Sequence, residues 1–300
     1  MIHQILFILC LLPFSMAAQT DGAAAAVDTM INNSPQPQEV TYVKPKTFSF
    51  LTNIPKDLAG FTKHAFHKKQ LKDLAIVVGS SAVLILADQM ITNSVQSNLR
   101  NANIHGTENF SPIIQIKING KKTNFGKMPR NINTAFYNLG QGSFSLLFAT
   151  GFFILGKVKK DNRALRTASQ LTESFIALGL TTQLIKYSTG RENPSDATQI
   201  RGRWQPFPSW SNFQNNKPKY DAFPSGHLAT FVSTVTIIGE NYPEIRWIKP
   251  VGYVLTGLIG LSMINNGVHW AGDFPLGIAL GYGFGKFITK KTGLKIVSAR

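Results

Sequence analysis

Long apolar segments alternate with polar connections, several of them short and basic, and that alternation restricts the fold of this chain more than any other feature. The segments cover 74–87, 135–156, 168–186, 226–238, 248–264 and 274–289. They are longer than ordinary strands, and no alternating run rivals them, so the pattern predicts helices. A hydrophobic share of 43% with 15% charged residues is apolar for a soluble enzyme. The expected fold class is all-α, a membrane-embedded bundle of about five or six helices.

The formal net charge is +16, yet the lysines and arginines are scattered over many short connections. No nucleic-acid module signature appears, so nucleic acid is not an expected partner. Anionic lipid surfaces and phosphorylated substrates fit the charge better. Three basic stretches, 157–166, 242–249 and the tail with Lys290, Lys291 and Lys295, fall between or after apolar segments. The positive-inside bias assigns them to the cytoplasmic side, which turns the polar motifs outward. Localisation is thus expected in the cell membrane (the inner membrane if bacterial), with the site facing the periplasm or exterior.

The apolar run Ile5–Phe14, followed by Ser15-Met16-Ala17-Ala18, predicts a signal peptide over residues 1–18. Cys10 is the only cysteine and would leave with it, which excludes disulfides and thiolate metal sites from the mature chain. Residues 19–70 read as a disordered or irregular segment, 71–292 as the helical domain and 293–300 as a tail. The segment 74–87 is short for a full span and ends in Asp88-Gln89. If it does span, export by a cleaved signal and the charge bias disagree, and the charge bias takes precedence. Residues 92–134 read as a long polar connection with an alternating piece, Ile113–Ile118, and a hairpin turn at Asn119-Gly120. The following Gly120-Lys121-Lys122-Thr123 is no phosphate loop, because Gln115 and Lys122 stand where that motif needs Gly and Ser or Thr.

Three polar clusters lie at the edges of the apolar segments: Lys186 to Pro194, Pro224-Ser225-Gly226-His227, and His269-Trp270-Ala271-Gly272-Asp273. The second opens a helix, whose first-turn amides and positive dipole end form an anion site to which Ser225 adds a hydroxyl. Taken alone, Ser225 is also an ordinary N-cap. In the third, Asp273 is four residues beyond His269, within reach of one ring nitrogen. A carboxylate there fixes the tautomer and makes the other nitrogen a better nucleophile. Asp273 as a simple helix cap is the plainer reading of that cluster by itself.

In order and spacing the clusters resemble the type 2 phosphatidic-acid phosphatase and haloperoxidase superfamily, with its pattern Lys-x6-Arg-Pro, Pro-Ser-Gly-His and Ser-Arg-x5-His-x3-Asp. Lys186, Pro194, Ser225, Gly226, His227, Ser262, His269 and Asp273 match it. The resemblance implies a metal-free, cofactor-free phosphatase acting on a phosphate monoester or pyrophosphate, with a lipid phosphate as the expected substrate. His269 would be the nucleophile, Asp273 its orienting group and His227 the acid and base. Lys186, Ser225 and the Gly226 amide would hold the phosphoryl oxygens.

The sequence departs from the pattern at both arginines, where Asn193 and Met263 stand. Neither can supply a permanently charged, bidentate clamp. Arg191 is the nearest substitute for substrate binding, with Arg201 and Arg203 in the same loop. A weakened or non-catalytic membrane relative that binds anionic lipid is a second reading, and a soluble periplasmic acid phosphatase a third. Trp204, Phe207, Trp210 and Phe213 in the loop from Glu192 to Phe223 fit a membrane interface, a roof over a lipid chain, or ordinary packing.

Overall fold

The computed structural model describes residues 39–118, 121–291 and 295–297. The expected signal peptide, most of the N-terminal spacer and the Asn119-Gly120 turn lie outside them. In chain order the helices are α1 (Ser49–Thr52), α2 (Ile54–Ala65), α3 (Leu71–Asn101), α4 (Ile132–Gly140), α5 (Gly142–Lys159) and α6 (Asn162–Thr189), then α7 (Trp210–Asn215), α8 (Gly226–Asn241), α9 (Ile248–Asn265) and α10 (Phe274–Lys291). The strands are β1 (Glu39–Thr41), β2 (Phe110–Ile118), β3 (Lys121–Pro129) and β4 (Lys295–Val297). Residues 42–293 form one compact unit. β1 and β4, which belong to the other unit, pair antiparallel with Val40 opposite Ile296.

The all-helical bundle is as expected, and its boundaries have local causes. Asp161 caps α6 by accepting the amides of Arg163 (2.8 Å) and Ala164 (3.2 Å). Gly190, at φ 57°, ends the same helix in the left-handed region that glycine tolerates. Ser225 caps α8 and Asn131 caps α4.

Four expectations shift. The polar pair Asp88-Gln89 does not end α3, which continues to Asn101 because Asp88 finds partners inside the protein. The predicted helix 135–156 is divided at Gln141, whose extended backbone separates α4 from α5. The predicted basic loop 157–166 shrinks to a turn around Lys160 and Asp161. Within the supposedly irregular 19–70, α2 is helical and docks by stacking Phe61 on Phe284 of α10, ring centroids 3.9 Å apart. The hairpin does form, with Ile114 opposite Phe125 and Lys117 opposite Lys122.

Large apolar side chains lie on the outside of the bundle as well as in its core. Val78, Val83, Leu86 and Met90 on α3, and Leu147, Phe153 and Ile154 on α5, are exposed. Inside, Ser174 bonds Ser233 (2.5 Å), Ser145 bonds Thr234 (2.6 Å), and Asn241 donates to Gln170 (2.6 Å). Polar ties inside and apolar residues outside suit helices surrounded by lipid. Among the described residues, three helices are long and apolar enough to cross a membrane: Lys68–Asn101, Gly142–Lys159 and Ile248–Asn265.

The pairing that matters most for the site is α8 against α10. A Cβ at Gly277 would lie 2.5 Å from the Ser225 carbonyl oxygen, and one at Gly281 only 2.2 Å from that of Ala229. Bare glycines thus let the two backbones touch, setting the start of α8 against the turn that precedes α10.

Candidate active site

The three clusters converge where α6 ends, α8 begins and the turn 271–273 leads into α10. Ser225 N–H donates to the Asp273 carbonyl at 3.0 Å, which joins the second cluster to the third. Ser225 Oγ accepts the Leu228 amide (3.4 Å), and the Ala229 amide reaches the Ser225 carbonyl. Among the described residues, the Gly226 and His227 amides therefore remain as the open donors of the first turn of α8. Lys186, buried on the last turn of α6, lies beside them: a Cβ on Gly226 would be 3.9 Å from its Nζ. The Lys186 ammonium is 3.7 Å from Asp221.

His269 is buried, and its Nδ1 lies 2.7 Å from the Ala222 carbonyl oxygen. A carbonyl only accepts, so Nδ1 carries the proton and Nε2 keeps its lone pair. That Nε2 is 3.2 Å from Nδ1 of the half-buried His227. The sequence assigned the orienting task to Asp273 alone. In the structure the Ala222 carbonyl shares it, with Asp273 Oδ2 at 3.5 Å from the same nitrogen. Burial, reinforced by the charge of Lys186, brings His269 down to about 3, so its imidazole is neutral at pH 7. Burial also pushes Asp273 up to about 6, against the pull of Arg191. Asp273 is therefore mostly ionised at neutral pH and protonated in mild acid.

Arg191 is not free to replace a missing clamp. It is fully buried, with Nη1 on Asp273 Oδ1 and Nη2 on Asp88 Oδ2, each 2.5 Å, and Nη2 also reaching the Arg201 carbonyl at 3.0 Å. Its guanidinium carbon lies over the rings of Trp204 and Trp270, 4.9 and 5.4 Å from their centroids. The physical reason is that two buried carboxylates need a buried cation, and Arg191 is the one they hold. Arg203 contributes its amide to the Glu192 carboxylate (2.9 Å), while Arg201 caps the Leu86 carbonyl at 3.5 Å.

Both substituted positions are buried. Met263 packs with Ile259, Leu228 and Tyr137, and its sulfur is 3.9 Å from Ser225 Oγ. The backbone N–H of Asn193 donates to the Pro218 carbonyl, and its Oδ1 has no hydrogen-bond partner among the described residues. The loop aromatics partly pack among themselves, with Trp210 and Phe213 edge-on to Tyr187.

Three contributors were missed from sequence. Asp88 carried a readable signal, an acid within an otherwise apolar stretch. Asp221 and the Ala222 carbonyl carried none, since nothing local marks them.

Residues 167–295 match the family model described as the PAP2 superfamily. A lipid A 1-phosphatase of Porphyromonas gingivalis is 36% identical over 62 residues, which is 20% of this chain and 14% of that relative. The similarity thus spans a small part of the relative's length. No solved structure matches the chain. The matched segment carries the Pro-Ser-Gly-His and His-x3-Asp clusters in their expected order, so residues 167–295 are similar to the PAP2 superfamily.

Proposed function

We propose that this protein hydrolyses a phosphate ester or pyrophosphate on a membrane lipid through a phosphohistidine at His269. The observation that carries the reading is the fixed tautomer of His269: Nδ1 is tied to the Ala222 carbonyl, and the lone pair of Nε2 points toward His227. Nε2 attacks phosphorus, and the bond to the lipid oxygen breaks. His227, protonated in the substrate complex, gives that oxygen a proton and becomes neutral, then takes one from the water that attacks the phosphohistidine. Phosphate leaves and neutral His269 returns. Lys186 and the amides of Gly226 and His227 balance the charge of the phosphoryl oxygens. Arg191 serves from behind, through Asp273.

A lipid substrate is supported by the exposed apolar residues of α3 and α5 and by the lipid A 1-phosphatase relative. Residues 157–166, 242–249 and 290–291 lie at the helix ends away from the histidines, so the positive-inside bias turns the site to the exterior. Phosphate release from a panel of lipid phosphates in detergent, with His269→Ala beside the wild type, tests the reading. Release that depends on His269 is expected. No release from any of them, or equal release by the variant, defeats it.

One observation favours a second reading, an anionic-lipid-binding relative without useful turnover. Met263 fills apolar space at a clamp position, leaving Lys186 as the cation beside the Gly226 turn. Easily measured turnover by the unaltered protein excludes that alternative.

A further inference from the structure

Asp88 lies outside the family-matched segment, on α3, and is fully buried. As the eighteenth residue of α3 it sits about 26 Å along the helix axis, at 1.5 Å per residue. It lies within a helix long and apolar enough to cross a membrane. An ionisable residue is expensive there and marks function when its partner is identified. Here the partners are explicit. Asp88 Oδ2 takes Nη2 of Arg191, whose Nη1 is held by Asp273, and Asp88 Oδ1 accepts the Gly272 amide at 2.8 Å. One flat guanidinium therefore ties two carboxylates together, and one of them also holds the residue next to the other.

The contact is built for close approach. A Cβ on Gly272 would lie 2.5 Å from Ile85 Cγ1 and 2.9 Å from Asp88 Oδ2, so only glycine lets α3 reach the turn. Asp273 is faced by Arg191, by Asp88 across that arginine and by His269, with Lys186 and Asp221 beyond. Were Asp88 neutral, the whole charge of Arg191 would fall on Asp273, which would then be a weaker partner for the positive charge that develops on His269.

We infer that Asp88 is a positioning residue for the hydrolytic site: by sharing Arg191 and pinning Gly272, it holds Asp273 in charge and angle for His269. The inference deepens the phosphatase reading and rests on it for its kinetic half. The same geometry makes α3 a part of the site that the matched segment lacks.

The test is Asp88→Asn in the full-length protein in detergent, read in two ways. In turnover, kcat should fall about 10- to 100-fold with KM within about twofold, the pattern of a misplaced catalytic group. Without turnover, the infrared band of protonated Asp273, assigned by its loss in Asp273→Asn, should titrate about one pH unit lower, because Arg191 then pairs with Asp273 alone. If Asp88→Asn is not recovered folded, Asp88→Glu, which keeps the charge but moves it by one methylene, should lower kcat and leave the infrared midpoint within a few tenths of a unit. A purely structural Asp88 would lower the melting temperature and leave both kcat and the midpoint in place, which overturns the inference. If the wild type hydrolyses no lipid phosphate, the phosphatase reading fails. The infrared midpoint then decides by itself whether Asp88 governs Asp273.

Discussion

The two halves of the site contrast. Around His269 each group is held from more than one side: Nδ1 by the Ala222 carbonyl and Asp273, and Asp273 by Arg191 and the Trp270 amide. At the positions where the family pattern has arginine, Met263 belongs to an apolar cluster, and Asn193 leaves its Oδ1 without a partner among the described residues. The proposed nucleophile is thus held by several layers of partners, while the groups proposed to grip phosphoryl oxygens are reduced to Lys186, a hydroxyl and helix-start amides. The difference teaches that identity at motif positions and support behind them are separate properties. The supported half depends on Asp88 and Arg191, neither of which occupies one of the matched motif positions.

The largest effect should come from the supported half. Asp273→Asn should lower kcat by about 10³- to 10⁴-fold, since an amide can present the wrong face to the histidine and cannot compensate its charge. In the unaltered protein the same group sets an acid limb. Its carboxylate dominates above about pH 6 and is lost below it, so kcat should fall as the pH drops through that value. His269, already neutral there, adds no limb near neutrality. A profile flat from pH 5 to 8 would break the assignment.

The clamp half should respond in stability before activity. Met263→Arg places a guanidinium among Ile259, Leu228 and Tyr137, and should cost about 3 kcal/mol in a thermal or denaturant melt. Inorganic phosphate should return part of that loss if the new cation reaches the site. The double variant Asn193→Arg/Met263→Arg, assayed on lipid phosphate, sharpens the contrast further. A gain of about tenfold or more marks a weakened enzyme, while no gain in a folded, phosphate-stabilised variant indicates that the grip has been redesigned.

The smallest effect should be that of Ser225→Ala. Losing the cap on the Leu228 amide costs about 1 kcal/mol of stability. If the hydroxyl also donates to phosphate, KM rises several-fold as well. A change in stability with unaltered KM would confine Ser225 to capping.

Much of the architecture could be read from the chain. The apolar segments predicted the long helices, since a span that must satisfy its own backbone in lipid has few alternatives to a helix. The caps at Asp161 and Ser225 and the stop at Gly190 are local chemistry, legible for the same reason. The three clusters and their order pointed to His269, His227, Asp273 and Lys186 before any fold was known. Where hydropathy misled, it did so at polar residues with distant partners. Asp88-Gln89 looked like the end of a helix, because a window average cannot tell that an acid will meet an arginine 103 residues away.

The sequence by itself determined which segments are helical and which polar clusters resemble a phosphatase pattern, because both are written in short-range pattern and spacing. Only the tertiary structure decided which carboxylates hold Arg191, that Met263 is core, and that α3 reaches the turn beside His269 through Gly272. Those outcomes depend on which distant backbones can approach closely enough to share one buried charge, and no local pattern in the chain encodes that.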